Sequence, residues 1–201
     1  MIIGVLAIQG AFREHMDVLQ RLHVQGRLIK KVSDLDGIDG LILPGGESTA
    51  MAKQMKENGL FEALQSKIIQ GCPVMGTCAG LILLSKEITN QPVSTLGVMD
   101  IRVKRNAYGR QLDSFSTLAP IKYISNEPLE LVFIRAPYIE EVGKGVEVLC
   151  EVDDHIVVAR QNNMLALAFH PELTGIDAVH VYFIEHMIKK ERIDHGSISH
   201  P

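Results

Sequence analysis

Cys78 stands in Gly76-Thr77-Cys78-Ala79-Gly80, after the short apolar run Pro73-Val74-Met75 and before Leu81-Ile82-Leu83-Leu84. This is the G-x-nucleophile-x-G form of a strand–turn–helix elbow. A turn that sharp holds the nucleophile in strained backbone geometry, and flanking side chains larger than hydrogen would collide. A helix starting at Ala79 would aim free backbone N–H groups and its positive dipole end at the sulfur, which favours thiolate. The same N–H groups suit an oxyanion. Cysteine is also among the most buried residue types, so the pentapeptide taken alone describes a small core hydrophobe as well as a nucleophile.

A base for such a nucleophile stands in Ala168-Phe169-His170-Pro171-Glu172. Pro171 biases His170 to extended geometry. Residues two apart in an extended chain point the same way, so Glu172 can reach the His170 imidazole and fix its tautomer, as in a triad. The other reading is a surface loop with a solvated His and Glu. A third stretch, Leu41 to Thr49, ends a strand at Pro44-Gly45-Gly46 and opens a helix at Ser48 or Thr49. Its glycines permit positive φ and close backbone approach, and their N–H groups could complete an oxyanion hole with that of Ala79. A tight turn with an N-cap explains the same residues. The G-K-[ST] of a phosphate loop is absent. Val103 to Gln111 is a basic run that contains Arg105, and its default reading is a solvated loop. Phe133-Ile134-Arg135 ends an apolar strand in an arginine, which at the end of an open α/β sheet can grip a carboxylate bidentately.

The remaining histidines compete poorly as bases. His15 and His23 fall on the first helix, His180 and His186 on the last, and His155, His195 and His200 in a turn and the tail. None has metal-ligand spacing with a third ligand, so no metal is expected. Cys72, Cys78 and Cys150 form no CxxC pair, which fits a reduced, cytoplasmic protein. The net charge of −4 comes without a basic patch, so nucleic acid is not an expected partner. No apolar run reaches about 18 residues, so no membrane span is expected. The segment Met1 to Ile8 has no basic leader and reads as a strand rather than a signal peptide.

The elements that must position these residues follow from periodicity. Ile2–Ile8, Leu28–Val32, Gly40–Leu43 and Pro73–Gly76 read as strands. They alternate with helices at Phe12–Leu22, Thr49–Asn58, Leu60–Gln70 and from Ala79. Such alternation predicts a parallel sheet covered by helices. The second half carries short strands at 98–103, 129–135, 146–152, 155–161 and 164–169. Asn162-Asn163 joins the last two as a hairpin, so antiparallel strands extend the sheet. Ile176 to Lys190 reads as a closing amphipathic helix. The chain's 201 residues suit one domain, 1–193, with a polar tail at 194–201.

Taken together, "GVLAIQGAFREH", "LPGGEST", "GTCAGLILL", "RNAYGRQ", "FIRAPYI" and "AFHPEL" resemble the triad-type class I glutamine amidotransferases. Within that class they are most similar to the glutaminase subunits of pyridoxal 5′-phosphate synthase. The segments run from position 4 to 173 without departure at the motif positions. The resemblance implies a three-layer α/β/α, flavodoxin-like fold with a mostly parallel sheet. It implies Cys78 as nucleophile, His170 as proton relay and Glu172 as its orienter, with the N–H groups of Gly46 and Ala79 as oxyanion hole. Gly46, Glu47, Ser48, Arg105, Ile134 and Arg135 would line the L-glutamine pocket. No cofactor is implied. Ammonia would pass to a barrel-shaped synthase subunit that builds pyridoxal 5′-phosphate. Three other readings stay open on sequence: an amidotransferase serving another acceptor, a cysteine hydrolase acting alone, and a non-catalytic binding subunit.

Overall fold

The apolar runs become strands buried on both faces. The computed structural model describes residues 1–89, 94–105 and 114–190. Of the segment "RNAYGRQ", only Arg105 falls among them, and the tail lies outside them. In chain order the elements are β1 (Ile2–Leu6), α1 (Phe12–Arg21), β2 (Gln25–Ile29), β3 (Gly40–Leu43), α2 (Ser48–Glu57), α3 (Leu60–Ile69), β4 (Val74–Thr77) and α4 (Ala79–Leu84). There follow β5 (Ser85–Ile88), β6 (Met99–Lys104), β7 (Ser114–Ile121), β8 (Ser125–Ile134), β9 (Tyr138–Val142), β10 (Glu147–Val152), β11 (His155–Gln161) and β12 (Met164–Leu167). The chain closes with α5 (Ala178–Tyr182), continued by a π-helical stretch, Phe183–Ile188.

Ten of the described strands form one sheet, with the path β2-β1-β3-β4-β12-β11-β9-β6-β5 and β10 paired to β11. From β2 to β12 every neighbouring pair is parallel, and β11 and β9 continue the sheet antiparallel. The parallel part has the strand order of the flavodoxin-like doubly wound sheet, which binds ligands beyond the carboxyl ends of its strands. β7 and β8 form a separate antiparallel ribbon.

Strand β3 shows why the architecture has three layers. A Cβ on Gly40 would lie 2.4 Å from Ile188 Cδ1, in the C-terminal helix. Three residues on, Leu43 Cβ lies 3.0 Å from where a Cβ on Gly80 of α4 would stand. Side chains an odd number apart on a strand face opposite ways, so these helices cover opposite faces. α1 joins the C-terminal helix on its side, where His15 meets His180, while α2 packs on α3 and α4.

Several boundaries differ from the sequence reading, each for a local reason. β2 begins at Gln25 rather than Leu28, because at the sheet edge a strand tolerates the polar Gln25-Gly26-Arg27. β5, β7 and β9 carry no apolar run. β5 ends the sheet at its other edge and reads Ser-Lys-Glu-Ile. β7 belongs to the two-stranded ribbon and accommodates Pro120 at a register shift between Ala119 and Ile121. The hairpin at Asn162-Asn163 forms, with Asn162 at φ 52°, as its turn requires. The closing helix starts at Ala178, two residues later than the periodicity suggests.

Candidate active site

Four loops meet at the carboxyl ends of β1, β3, β4 and β12. β4 and β12 run side by side with Thr77 opposite Leu167, and the Cys78 N–H donates to the Leu167 carbonyl at 2.8 Å. This register brings Cys78 level with the strand that leads into His170. Cys78 has φ 49° and ψ −103°, a conformation that side-chain-bearing residues rarely adopt. The flanking glycines are required by packing. A Cβ on Gly76 would lie 2.7 Å from the Gly80 backbone, and one on Gly80 would lie 1.9 Å from the Leu43 carbonyl oxygen. α4 is only six residues long, so its dipole is short. Its first intrahelical bond runs from Ile82 N–H to the Cys78 carbonyl at 3.2 Å, which leaves the Ala79 N–H without an acceptor inside the helix.

His170 Nδ1 lies 2.7 Å from Glu172 Oε1, and the Cys78 side chain also interacts with the imidazole. The His170 N–H donates to Val132 of β8 at 2.8 Å, which ties the ribbon to the site. As a result the Ile134 carbonyl oxygen stands 3.8 Å from Cys78 Sγ. Burial opposes a charge on His170, but Cys78 and Glu172 together outweigh it and raise its pKa to about 10. By contrast, burial and the Glu151 charge push the Cys150 thiol up to about 11, which leaves it inert.

Gly45 and Gly46 are not in positive φ. They are needed for close approach: a Cβ on Gly45 would lie 2.4 Å from His170 Cε1. The Ala11 N–H donates to the Gly45 carbonyl at 3.0 Å, and the Glu47 N–H donates to Gln9 Oε1 at 3.0 Å. The cap of α2 is Glu47 rather than Ser48 or Thr49. Its carboxylate accepts from the N–H groups of Thr49 and Ala50 at 3.3 and 2.7 Å, and from Arg105 at 2.9 Å. Partial burial would raise the Glu47 pKa, but these donors lower it on balance.

These loops enclose a cleft of about 480 Å³. Gly46, Glu47, Ser48, Cys78, Arg105, Ile134, Arg135 and His170 all line it. Glu172 lies behind His170 with its side chain fully buried, and Ala79 is buried under the elbow. Ser48 Oγ is buried with no hydrogen-bond partner among the described residues, a polar atom at the wall of the cleft. Among the described residues, no cluster of His, Cys, Asp or Glu is built to hold a metal, and no helix is long and apolar enough to cross a membrane.

Sequence reasoning missed Gly10 and Ala11, which also line the cleft, and the pair His15 and His180 behind Glu172. The available signal was His15 at helical spacing with Phe12 and Leu19, on the face of α1 that turns inward. Burial holds both histidines neutral. The His180 pKa falls to about 4, and that of His15 drops well below the usual value with His180 and His170 adding to the effect. A histidine whose folded pKa lies below its unfolded 6.5 stabilises the fold above pH 6.5 and loses that contribution as pH falls. His170 is the opposite case: its contribution is complete below pH 6.5 and is lost only as pH rises toward about 10. Between pH 7 and 5, His180 alone therefore removes about 2 kcal/mol of stability, with His15 acting in the same direction. Urea unfolding at the two pH values measures it, and an unchanged midpoint contradicts the assignment.

Comparison with known proteins gives this arrangement a class. Residues 5–189 match the SNO glutamine amidotransferase family, and the chain belongs to that family. A crystal structure of a glutamine amidotransferase superposes with a TM-score of 0.88 at 42% identity, covering 92% of this chain and 98% of the other. PurLQS from Thermotoga maritima shares the fold, with a TM-score of 0.68 at 15% identity, covering 92% of this chain and 98% of that one. Among proteins of assigned activity, the chain is 54% identical to the pyridoxal 5′-phosphate synthase subunit PdxT of Carboxydothermus hydrogenoformans, over 94% of this chain and 99% of that one. It is 57% identical to the PdxT subunit of Methanocorpusculum labreanum, over 92% and 97%.

Proposed function

We propose that the chain is the glutaminase subunit of a cytoplasmic pyridoxal 5′-phosphate synthase, hydrolysing L-glutamine and delivering ammonia to a barrel-shaped synthase subunit. The observation that carries the chemistry is the line Cys78–His170–Glu172 at the floor of the cleft. The near-full-length likeness to PdxT subunits supports the partner and the product.

Cys78 Sγ, its proton taken by His170, attacks the side-chain amide carbon of glutamine. The carbonyl oxygen becomes an oxyanion, held by the N–H groups of Gly46 and Ala79. Collapse of this intermediate breaks the C–N bond. His170 gives its proton to the leaving nitrogen, which departs as ammonia, and a γ-glutamyl thioester remains. Water, deprotonated by His170, attacks the thioester. Glutamate leaves, and the proton returns to Cys78. Glu172 keeps Nδ1 of His170 protonated, so that Nε2 faces the sulfur. Arg105, Arg135, Glu47, Ser48 and Ile134 hold the amino-acid end of the substrate.

The test is glutamate release from L-glutamine by the chain alone and with the barrel subunit. Low turnover alone and a strong increase with the partner are expected. No glutamate in either arm removes the glutaminase reading. Turnover that the barrel subunit leaves unchanged removes the synthase partner and favours another acceptor.

A further inference from the structure

Glu172 has two carboxylate oxygens, and the reaction described above uses one. Oε1 meets His170 Nδ1 at 2.7 Å. Oε2 is buried and has no hydrogen-bond partner at ordinary distance among the described residues, and His15 Nε2 faces it at 3.5 Å. A buried carboxylate with one oxygen unserved is costly, so the nature of the group facing it matters.

His15 is completely buried on α1. Its Nε2 also lies 3.2 Å from Thr77 Oγ1, in the residue before the nucleophile, and its Nδ1 lies 2.9 Å from Nε2 of the buried His180. His180 Nδ1 has no hydrogen-bond partner among the described residues. Two proton arrangements fit these distances. If His15 carries its proton on Nδ1 and donates to His180, the His15 Nε2 lone pair points at a carboxylate, and His180 keeps a buried Nδ1–H with nothing to receive it. If His180 donates from Nε2 to His15 Nδ1, His15 presents Nε2–H to Glu172 Oε2 and Thr77 Oγ1. The atom left unpaired is then only the acceptor Nδ1 of His180. The second arrangement avoids both penalties. The neutrality that burial imposes on both rings is consistent with it.

We propose that His15 is a positioning residue for Glu172, its Nε2–H aimed at Oε2, and that His180 holds His15 in that tautomer. The triad thereby extends into a buried line, His180 to His15 to Glu172 to His170 to Cys78, that crosses from α5 through α1 to the elbow. His15 touches no substrate and acts through the carboxylate. This assignment rests on the glutaminase reading.

Two measurements test it, both on the full chain, with turnover read in the complex with the barrel subunit. The first replaces His15 by amides that mimic one ring nitrogen each. His15→Gln keeps a donor where Nε2 stands, and His15→Asn keeps only the Nδ1 position, next to His180. The expected result is a kcat for His15→Asn about 10- to 100-fold below wild type, with His15→Gln restoring most of it and KM for glutamine nearly constant in both. A merely structural role lowers both variants alike through stability, so equal kcat values overturn the proposal. The second measurement uses the wild-type chain and so does not depend on any variant folding. Nitrogen-15 NMR of the histidine side chains should show His15 as the Nε2–H tautomer, and finding it as Nδ1–H overturns the proposal. A wild-type complex that releases no glutamate instead defeats the glutaminase reading, while the tautomer result still stands for the buried line itself.

Discussion

Cys78→Ala is expected to abolish glutamate release, by at least about 10³-fold, because among the described residues no other cysteine lines the cleft to take over the attack. Among the described residues the other two cysteines do not line the cleft, and Cys150 is held as a thiol by its burial and by Glu151. The more informative comparison is with Cys78→Gly. Both variants are expected to be inactive, yet to differ in stability. At φ 49° and ψ −103° any residue with a Cβ is strained, by about 1–3 kcal/mol. Glycine relieves that strain and gives back about 0.5–1 kcal/mol through its freer unfolded chain. Cys78→Gly is therefore expected to be more stable than Cys78→Ala by about 1 kcal/mol, as measured by urea unfolding. A glycine variant no more stable than the alanine variant would show that the elbow stores no strain. Full turnover in Cys78→Ala would remove the nucleophile assignment altogether.

Gly80→Ala is expected to cost about 3 kcal/mol or more, a loss of roughly 10 °C in Tm for a chain of this size. The added Cβ would lie 1.9 Å from the carbonyl oxygen and 2.7 Å from the carbonyl carbon of Leu43. Those are backbone atoms of β3, a strand paired on both sides within the parallel sheet, so no flexible side chain can move aside. Relief requires α4 to lift away from β3. That movement separates the elbow from Gly45 and Gly46, which follow β3 directly. Turnover should fall further than stability alone explains when measured well below the unfolding temperature, since a displacement of about 1 Å at a reacting centre costs about 10²-fold. Gly175→Ala is the control: a Cβ there meets nothing within 4 Å, and stability should change by less than about 0.5 kcal/mol. A Gly80→Ala chain as stable as this control would contradict the packing of α4 on β3.

The parallel half of the fold was legible because strands buried on both faces must be continuously apolar. Ile2–Leu6 and Gly40–Leu43 are of that kind. β5 and β7 were not legible, since an edge strand and an exposed ribbon need no apolar run. The elbow was visible in its glycines, and the helix that starts at Ala79 runs for six residues. At the third stretch the sequence offered two physical causes, positive φ and close backbone approach, and only the second applies. His170 presses against Gly45, and Met51, Gln9 and Gly10 against Gly46, while neither glycine has positive φ.

The amino-acid sequence by itself determined the local devices. These are a glycine-flanked cysteine after a strand, a histidine held extended by Pro171 with a carboxylate two residues on, and a glycine pair after β3. Each is a short-range stereochemical fact, written within a few consecutive residues. Only the tertiary structure decided that they belong to one site. Cys78 and His170 meet because β4 and β12 pair in a register that places Thr77 against Leu167, and strand register over such a separation is set by the whole sheet. The same holds for His15 and His180, two unremarkable helical histidines until α1 and α5 pack together and close their rings to 2.9 Å behind Glu172. Burial then takes the charge from both rings, and the higher cost of a buried N–H without an acceptor than of a bare ring nitrogen favours one placement of the protons.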